Sequence, residues 1–347
     1  MSASPRTSET RNSPGVAVAS APRTLTDPYG RRIDYVRVSV TDRCDLRCQY
    51  CLPEHFKDFQ EPAEWLTLAE MARLVGLFTG LGVSHVRLTG GEPLTRRGIA
   101  DLAADIAALP GLVDLSLSTN GTRLARHAAD LKKAGVQRLN VSLDTLDPTA
   151  FQEITRHDRL AEVLEGLQEA ARQGFAPIKV NCVVHRERPE EELAQLLRYT
   201  LENGFILRLI EVMPMGISGR RYRHVDLSEM GARLANRFGL RVPIDHSGPG
   251  PARYWSADGV TPALGVITPL SQHFCASCNR VRLAVDGTLY LCLGQETQVP
   301  LGAALREGAS DAELEGLIRA GIAVKPERHE FTTAPERVIR VMARTGG

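Results

Sequence analysis

An α/β fold, a partial (βα)6 barrel followed by a smaller C-terminal domain, is what this sequence predicts, and three observations predict it. From Ile33 onward, apolar runs of strand length alternate with longer stretches whose apolar residues recur at helical spacing. Such alternation marks βα units feeding a parallel sheet, and near-continuous apolar strands fit a sheet buried under helices. Six units are too few for a closed eight-stranded barrel, so the barrel is expected to be open. Past about residue 215 the rhythm gives way to Gly- and Pro-rich turns with short strand-like runs, which marks the smaller domain.

The strands are expected at Tyr35–Val40, Val83–Leu88, Val113–Leu117, Arg138–Leu143, Ile178–Val184 and Ile206–Val212. Between them, Leu68, Met71, Ala72, Val75 and Phe78 share one helical face, as do Leu102, Ile106 and Leu109, then Leu124, Ala128 and Leu131. The pattern returns at Leu160, Val163, Leu164 and Leu167, and at Leu193, Leu196, Leu197 and Leu201. Beyond the barrel, Met230, Leu234 and Phe238 predict a helix. Short strands are expected at Ala252–Ser256, Leu264–Ile267, Val281–Val285 and Thr288–Cys292. Asp286-Gly287 between the last two signals a hairpin. A helix around Ala312–Ile322 and a polar tail ending in Gly346-Gly347 close the chain. Residues 1–25, rich in Ser, Pro, Ala, Thr and Arg without periodic apolar positions, are expected to be a disordered extension; Pro5, Pro14 and Pro22 interrupt any amphipathic transit helix. The domains are therefore expected at 1–25, 26–215 and 216–347.

Composition narrows the function classes. At 347 residues the chain can bury a large core. A net charge of +1 gives no field that would favour nucleic acid or a membrane surface, and 5% aromatic residues offer little base-stacking surface. No apolar run reaches the roughly 18 residues of a membrane span.

The cysteines carry the chemistry. Cys44, Cys48 and Cys51 form C-x3-C-x2-C; Cys275, Cys278 and Cys292 form C-x2-C-x13-C. Each triplet is one ligand short of the four that a closed zinc site or four-cysteine cluster takes. A disulfide framework fits poorly, because the chain is long, lacks a secretory signal and has 7 cysteines, an odd number. Zinc remains an alternative for the rear triplet, since Cys275 and Cys278 look like half a zinc ribbon. Cys182, alone in an apolar run, is expected to pack as a strand residue. Thiols kept for metal imply a reducing compartment, so a cytoplasmic location is expected.

The front triplet stands in Thr41-Asp42-Arg43-Cys44-Asp45-Leu46-Arg47-Cys48-Gln49-Tyr50-Cys51, directly after the first strand, where a barrel places its active loop. One βα unit later comes Thr89-Gly90-Gly91-Glu92-Pro93. On these two motifs and their spacing the chain resembles the radical S-adenosylmethionine superfamily. Further segments narrow the resemblance: Ser118-Thr119-Asn120-Gly121, Asn140–Asp144, Lys179-Val180-Asn181, Arg208–Met213, Cys275–Leu283 and the closing Gly-Gly. From about Arg31 onward the chain is similar to the members of that superfamily that cyclise GTP at the start of molybdenum cofactor biosynthesis.

That resemblance implies a TIM-like partial barrel, two [4Fe-4S] clusters and S-adenosylmethionine as cofactors. Cys44, Cys48 and Cys51 would hold the first cluster, whose open iron chelates S-adenosylmethionine. Cys275, Cys278 and Cys292 would hold a second, in the C-terminal domain, whose open iron meets the guanine base. Tyr50, Gly91, Ser142 and Met213 match contacts to S-adenosylmethionine. Arg37, Arg87, Ser118, Lys179, Arg208, Arg280, Val281 and Arg282 match contacts to GTP, and arginine suits a triphosphate because its fork meets phosphate oxygens bidentately. Gly346 and Gly347 match a tail that enters the active site, which residues without side chains can do. A one-electron reductant and the cyclic pyranopterin monophosphate synthase are the implied partners, with neither nucleic acid nor membrane, and a homodimer is an assembly the resemblance allows. The chain departs from the family pattern at His85, where a Lys is usual, at Asp45 (usually Asn) and at Gly98 (usually Asp).

Overall fold

The structure, a computed structural model, describes residues 24–53, 62, 64–185, 187–242 and 250–346. Most of the extension expected over 1–25 lies outside the described residues, but its end does not. Leu25–Thr26 forms β1, antiparallel to β2 (Arg32–Ile33), and Leu25, opposite Ile33, is 2% exposed. Burial of this apolar pair puts the start of ordered structure ahead of the expected boundary.

The six expected barrel strands are present: β3 (Tyr35–Ser39), β4 (His85–Thr89), β5 (Asp114–Thr119), β6 (Arg138–Ser142), β7 (Ile178–Val184) and β8 (Ile206–Glu211), parallel neighbours in that order. Helices α1 (Leu68–Gly80), α2 (Ile99–Ala107), α3 (Leu124–Lys133), α5 (Leu160–Arg172) and α6 (Glu190–Glu202) connect them, with α4 (Pro148–Thr155) preceding α5 in one crossover. Periodicity did not indicate α4, which buries only Phe151 and Thr155; its sequence signal is the Asp147 cap followed by Pro148. At α1, Thr67 accepts from Glu70 N while Glu70 accepts from Thr67 N, a capping box worth about 1 kcal/mol; Met71, Val75 and Phe78 are buried as their spacing predicts, and Leu74, not among the expected positions, is buried with them.

The last third supplies α7 (Gly216–Arg220), α8 (Leu227–Arg237), β9 (Arg253–Ser256), β10 (Pro262–Ile267), β11 (Arg280–Leu283), β12 (Thr288–Tyr290), β13 (Gln298–Pro300), α9 (Leu301–Arg306), α10 (Asp311–Ala323) and α11 (Met342–Thr345). Its strands build no sheet of their own. The order β13-β12-β11-β3-β4-β5-β6-β7-β8-β10-β9 puts β11 parallel beside β3 and β10 parallel beside β8, so late residues flank both sides of the barrel strands in one open 11-stranded sheet. The expected polar tail is instead partly helical and buried: Ala343 and Thr345 are almost fully covered. Among the described residues no helix is long and apolar enough to cross a membrane.

Strand alternation sorts the side chains. In β3, Val36 and Val38 are buried in the main hydrophobic core, while Tyr35 and Arg37, two residues apart on the other face, line an interior cavity. Cys182 is fully buried in β7, as expected.

Candidate active site

The cysteine loop and the glycine motif are built against each other. Gly91 N donates to Thr41 O at 2.8 Å and Glu92 N to Arg43 O at 2.6 Å. A Cβ on Gly90 would fall inside 3.0 Å of Thr41 O, and one on Gly91 inside 3.0 Å of the Arg43 carbonyl. Gly90 also has φ +150°, so only glycine lets the second motif lie flat on the first.

Acidic residues with no expected site role hold this arrangement. Glu92, wholly buried, accepts from Leu94 N, Thr119 Oγ1 and Asn120 N, and burial lifts its carboxyl to about 7. Asp45 accepts from Asn120, Thr122, Arg123 and Arg159. Burial alone would raise its pKa, but these donors outweigh burial and hold the carboxyl below its ordinary value. Asp144 takes the Tyr50 hydroxyl at 2.8 Å and Val183 N at 2.8 Å, with burial raising its pKa. Carboxylates at the ends of apolar strands were the available signal, because a charge there must find donors.

The front thiols sit in low dielectric. Burial pushes Cys44 and Cys48 well above the ordinary thiol range and Cys51 up to about 12. Leu46 N, at 3.4 Å, and Asn120 Nδ2, at 3.6 Å, point at Cys44 Sγ. These half-buried thiols become thiolates beside a compensating cation, and a metal cluster is one. Among the described residues no group of three or more His, Cys, Asp or Glu is placed to hold a metal ion. This does not count against a cubane, whose cysteines bind different irons rather than converging on one ion.

The rear cysteines open into a cavity of about 410 Å³. Cys275, Cys278 and Cys292 line it together with Arg37, Arg87, Arg138, Lys179, Arg208, Arg280 and Arg282, and among the described residues no Asp or Glu lies on its wall. Arg282, Arg37 and Arg87 stand directly opposite one another on β11, β3 and β4, and the row continues through Ser116 to Arg138. Like charges abreast on neighbouring strands repel. Burial lowers the pKa of Arg37, Arg87 and Arg208 to about 10 and of Lys179 to about 7, with the neighbouring guanidiniums adding to it. Arg138 is paired with Asp114 at 2.5 Å, and Arg208 is held by Asn181 and Asn140. Arg37 Nε and Ser118 Oγ are buried without a hydrogen-bond partner among the described residues. The cavity is thus a desolvated cationic chamber, chemically matched to a polyanion.

The C-terminal helix stands between the two halves. The Ala343 backbone draws the Cys51 thiol back down against burial, and Arg282 Nη1 donates to Gly346 O at 2.7 Å and Thr345 O at 3.3 Å. A Cβ on Gly346, at φ +70°, would fall inside 3.0 Å of the Thr89 side chain. Gly347 lies outside the described residues.

Most expected positions fall where the two halves meet. Arg37, Arg87, Lys179, Arg208, Arg280, Val281 and Arg282 all line the rear cavity, and Met213 lines it too. His85, at the departure from the family's Lys, is also on its wall. Ser118, Tyr50, Gly91 and Ser142 are not on it; Ser142 is exposed at the end of β6, opposite Asn181. The cavity also gathers Tyr35, Arg138, Asn181, Tyr254 and Phe274, which the sequence analysis did not select. Tyr35 shares a strand face with Arg37, so alternation could have found it. Tyr254 reaches the cavity only because Gly265 on the paired strand leaves room for its ring, a relation between strands that sequence does not display.

A parallel sheet with a three-cysteine loop after its first barrel strand is the arrangement of the radical S-adenosylmethionine class, and the family described as the Radical SAM superfamily matches residues 38–200. The family described as Molybdenum Cofactor Synthesis C matches residues 205–331. The chain is 45% identical over 331 residues to the GTP 3′,8-cyclase of Pseudomonas putida strain W619, covering 94% of this chain and 98% of that protein. It is 46% identical to the GTP 3′,8-cyclase of Paracoccus denitrificans, covering 93% and 96%, and 44% identical to that of Caulobacter vibrioides, covering 97% and 99%. The chain belongs to the GTP 3′,8-cyclase family. Among solved structures, Streptococcus suis SuiB bound to S-adenosylmethionine shares the fold at TM-score 0.60 and 17% identity, over 84% of this chain and 69% of that one.

Proposed function

We infer that the protein is a lyase that converts GTP to (8S)-3′,8-cyclo-7,8-dihydroguanosine 5′-triphosphate, the first step of molybdenum cofactor biosynthesis. The observation that carries this reading is the joining of three cysteines and the cation row in one cavity, with no carboxylate on its wall among the described residues. A nucleoside triphosphate brings both the negative charge that offsets the arginines and a base able to meet a metal.

In this reading Cys44, Cys48 and Cys51 hold a [4Fe-4S] cluster, with Tyr50, Gly91, Ser142 and Met213 around S-adenosylmethionine. Cys275, Cys278 and Cys292 hold a second [4Fe-4S] cluster. Supplied with an electron, the front cluster and its cofactor provide the radical chemistry that activates C3′ of the ribose. The chain's own residues do the rest. Arg37, Arg87, Lys179 and Arg208 grip the triphosphate; Arg280, Val281 and Arg282 border the base; Ser118 offers a hydroxyl. Glu92 and Asp45 fix the loop that carries the front cysteines, so the reacting groups do not drift. The tail, seated through Gly346 against Thr89 and Arg282, keeps water from a radical. A cytoplasmic reductant gives the electron, and the cyclic pyranopterin monophosphate synthase takes the product.

Anaerobic incubation with GTP, S-adenosylmethionine and dithionite tests this. Cyclised nucleotide and 5′-deoxyadenosine should form together. Deoxyadenosine released at the same rate without GTP, and no cyclised nucleotide, would overturn the substrate assignment.

A further inference from the structure

Three buried cations from distant parts of the chain grip the backbone of the rear cysteine loops. Arg31, paired with Asp27 at 2.5 Å, donates to Cys275 O at 2.8 Å. Arg340, paired with Glu296 at 2.9 Å, donates to Leu293 O at 3.0 Å. Lys325, following α10, donates through Nζ to Leu291 O, the carbonyl just before Cys292. Lys325 differs from the other two. It is 2% exposed, and among the described residues no carboxylate pairs with it.

A buried ammonium with only a carbonyl for company is costly unless an anion faces it. Its Nζ is anchored on the carbonyl of the residue next to Cys292, whose sulfur would carry negative charge once bound to a metal. The other two cations are neutralised by their own carboxylates and act on geometry alone. Lys325 has charge left to give.

We propose that Lys325 is a positioning residue of the rear site: it fixes the Leu291–Cys292 backbone and supplies the positive charge that favours the reduced state of a metal–sulfur group on Cys275, Cys278 and Cys292. The proposal rests on the reading that a second cluster occupies those cysteines. A fixed cation near a cluster stabilises its more negative, reduced form and so raises its potential.

The experiment is an EPR-monitored redox titration of anaerobically reconstituted full-length wild type, K325M and K325R, with iron counted and melting temperature measured for each. K325M should hold both clusters and leave the front signal unmoved. Its rear signal should need a lower potential, with at least a tenfold smaller reduced fraction at fixed poise, equal to about 59 mV for one electron. K325R should restore the wild-type midpoint. Loss of rear iron in K325M but not in K325R also bears the proposal out. An unchanged rear midpoint in loaded K325M, or equal loss of rear iron in both variants, overturns it. A wild type that carries only the front cluster would instead sink the two-cluster reading, and the proposal with it, without any variant being needed.

Discussion

Arg282 lies directly opposite Arg37 across β11 and β3, and its guanidinium nevertheless turns to the carbonyls of Thr345 and Gly346. One residue thus belongs both to the cation row and to the anchor of the C-terminal helix. Charge on the nucleotide side and order on the tail side are joined at this side chain. Arg282→Ala should release the tail while both cysteine sets still load iron. A hydrogen bond from a charged donor is worth about 1.5–3 kcal/mol, so the seated tail should become roughly 10- to 100-fold less populated. Faster limited proteolysis at the C-terminus, with cyclised product falling in proportion, is the expected result; an unchanged digestion rate would show that the tail is held elsewhere.

The cation row should trade stability for binding. Arg87 is 8% exposed and stands between Arg37 and Ser116. Arg87→Met removes a buried charge that faces another, so the nucleotide-free protein should gain about 1–2 kcal/mol in urea unfolding. The same variant should lose at least tenfold in GTP affinity. A loss of both stability and affinity would mean that Arg87 holds the fold rather than the ligand.

Lys179 predicts proton uptake on binding. Burial and the nearby Arg208 and Arg138 lower its pKa to about 7. Between that value and the ordinary lysine range the unfolded chain binds a proton that the folded one does not, so ligand-free stability should rise with pH across this window. A triphosphate reverses the field and favours the charged amine. Binding at pH 8 should therefore take up close to one proton, read as a dependence of calorimetric enthalpy on buffer ionisation heat. Lys179→Met should abolish that dependence, and a wild-type enthalpy independent of buffer would refute it.

Gly91→Ala tests the contact between the two front motifs. Its Cβ would collide with the Arg43 carbonyl, a backbone group that cannot swing away. The cost should be about 1–3 kcal/mol, with less iron retained at the front site. Gly316→Ala in α10 is the control, since a Cβ there meets nothing within 4 Å, and it should stabilise by up to about 1 kcal/mol. Equal iron content in the two variants would contradict the packing argument.

The barrel strands and the helices around them were legible because burial on both faces leaves a strong apolar pattern. Val36, Val38, Val75 and Phe78 show it directly. The rear cavity was legible in part: Arg37, Arg87, Lys179 and Arg208 interrupt apolar strands, and such a charge has to have a use. What the sequence did not display depends on pairing between distant segments. The neighbours of β3 and β8 are such a case, since β11 and β10 join one sheet from either side. The supporting carboxylates Glu92, Asp45 and Asp144 are another, because each is defined by donors brought from other strands and loops. The burial of Leu25 and of the helix at Met342–Thr345 is a third, since neither segment has enough apolar residues to announce a core position.

The placement of β11 beside β3 and of β10 beside β8 also governs how the chain is made. During synthesis the six barrel strands emerge first, with two bare hydrogen-bonding edges exposed to other nascent chains. Those edges stay open until residues beyond 260 and 280 have been added. Contacts so far apart in sequence slow folding and lengthen the time at risk of aggregation. Expression of residues 26–215 alone should accordingly give insoluble protein, and co-expression with residues 216–347 should restore solubility.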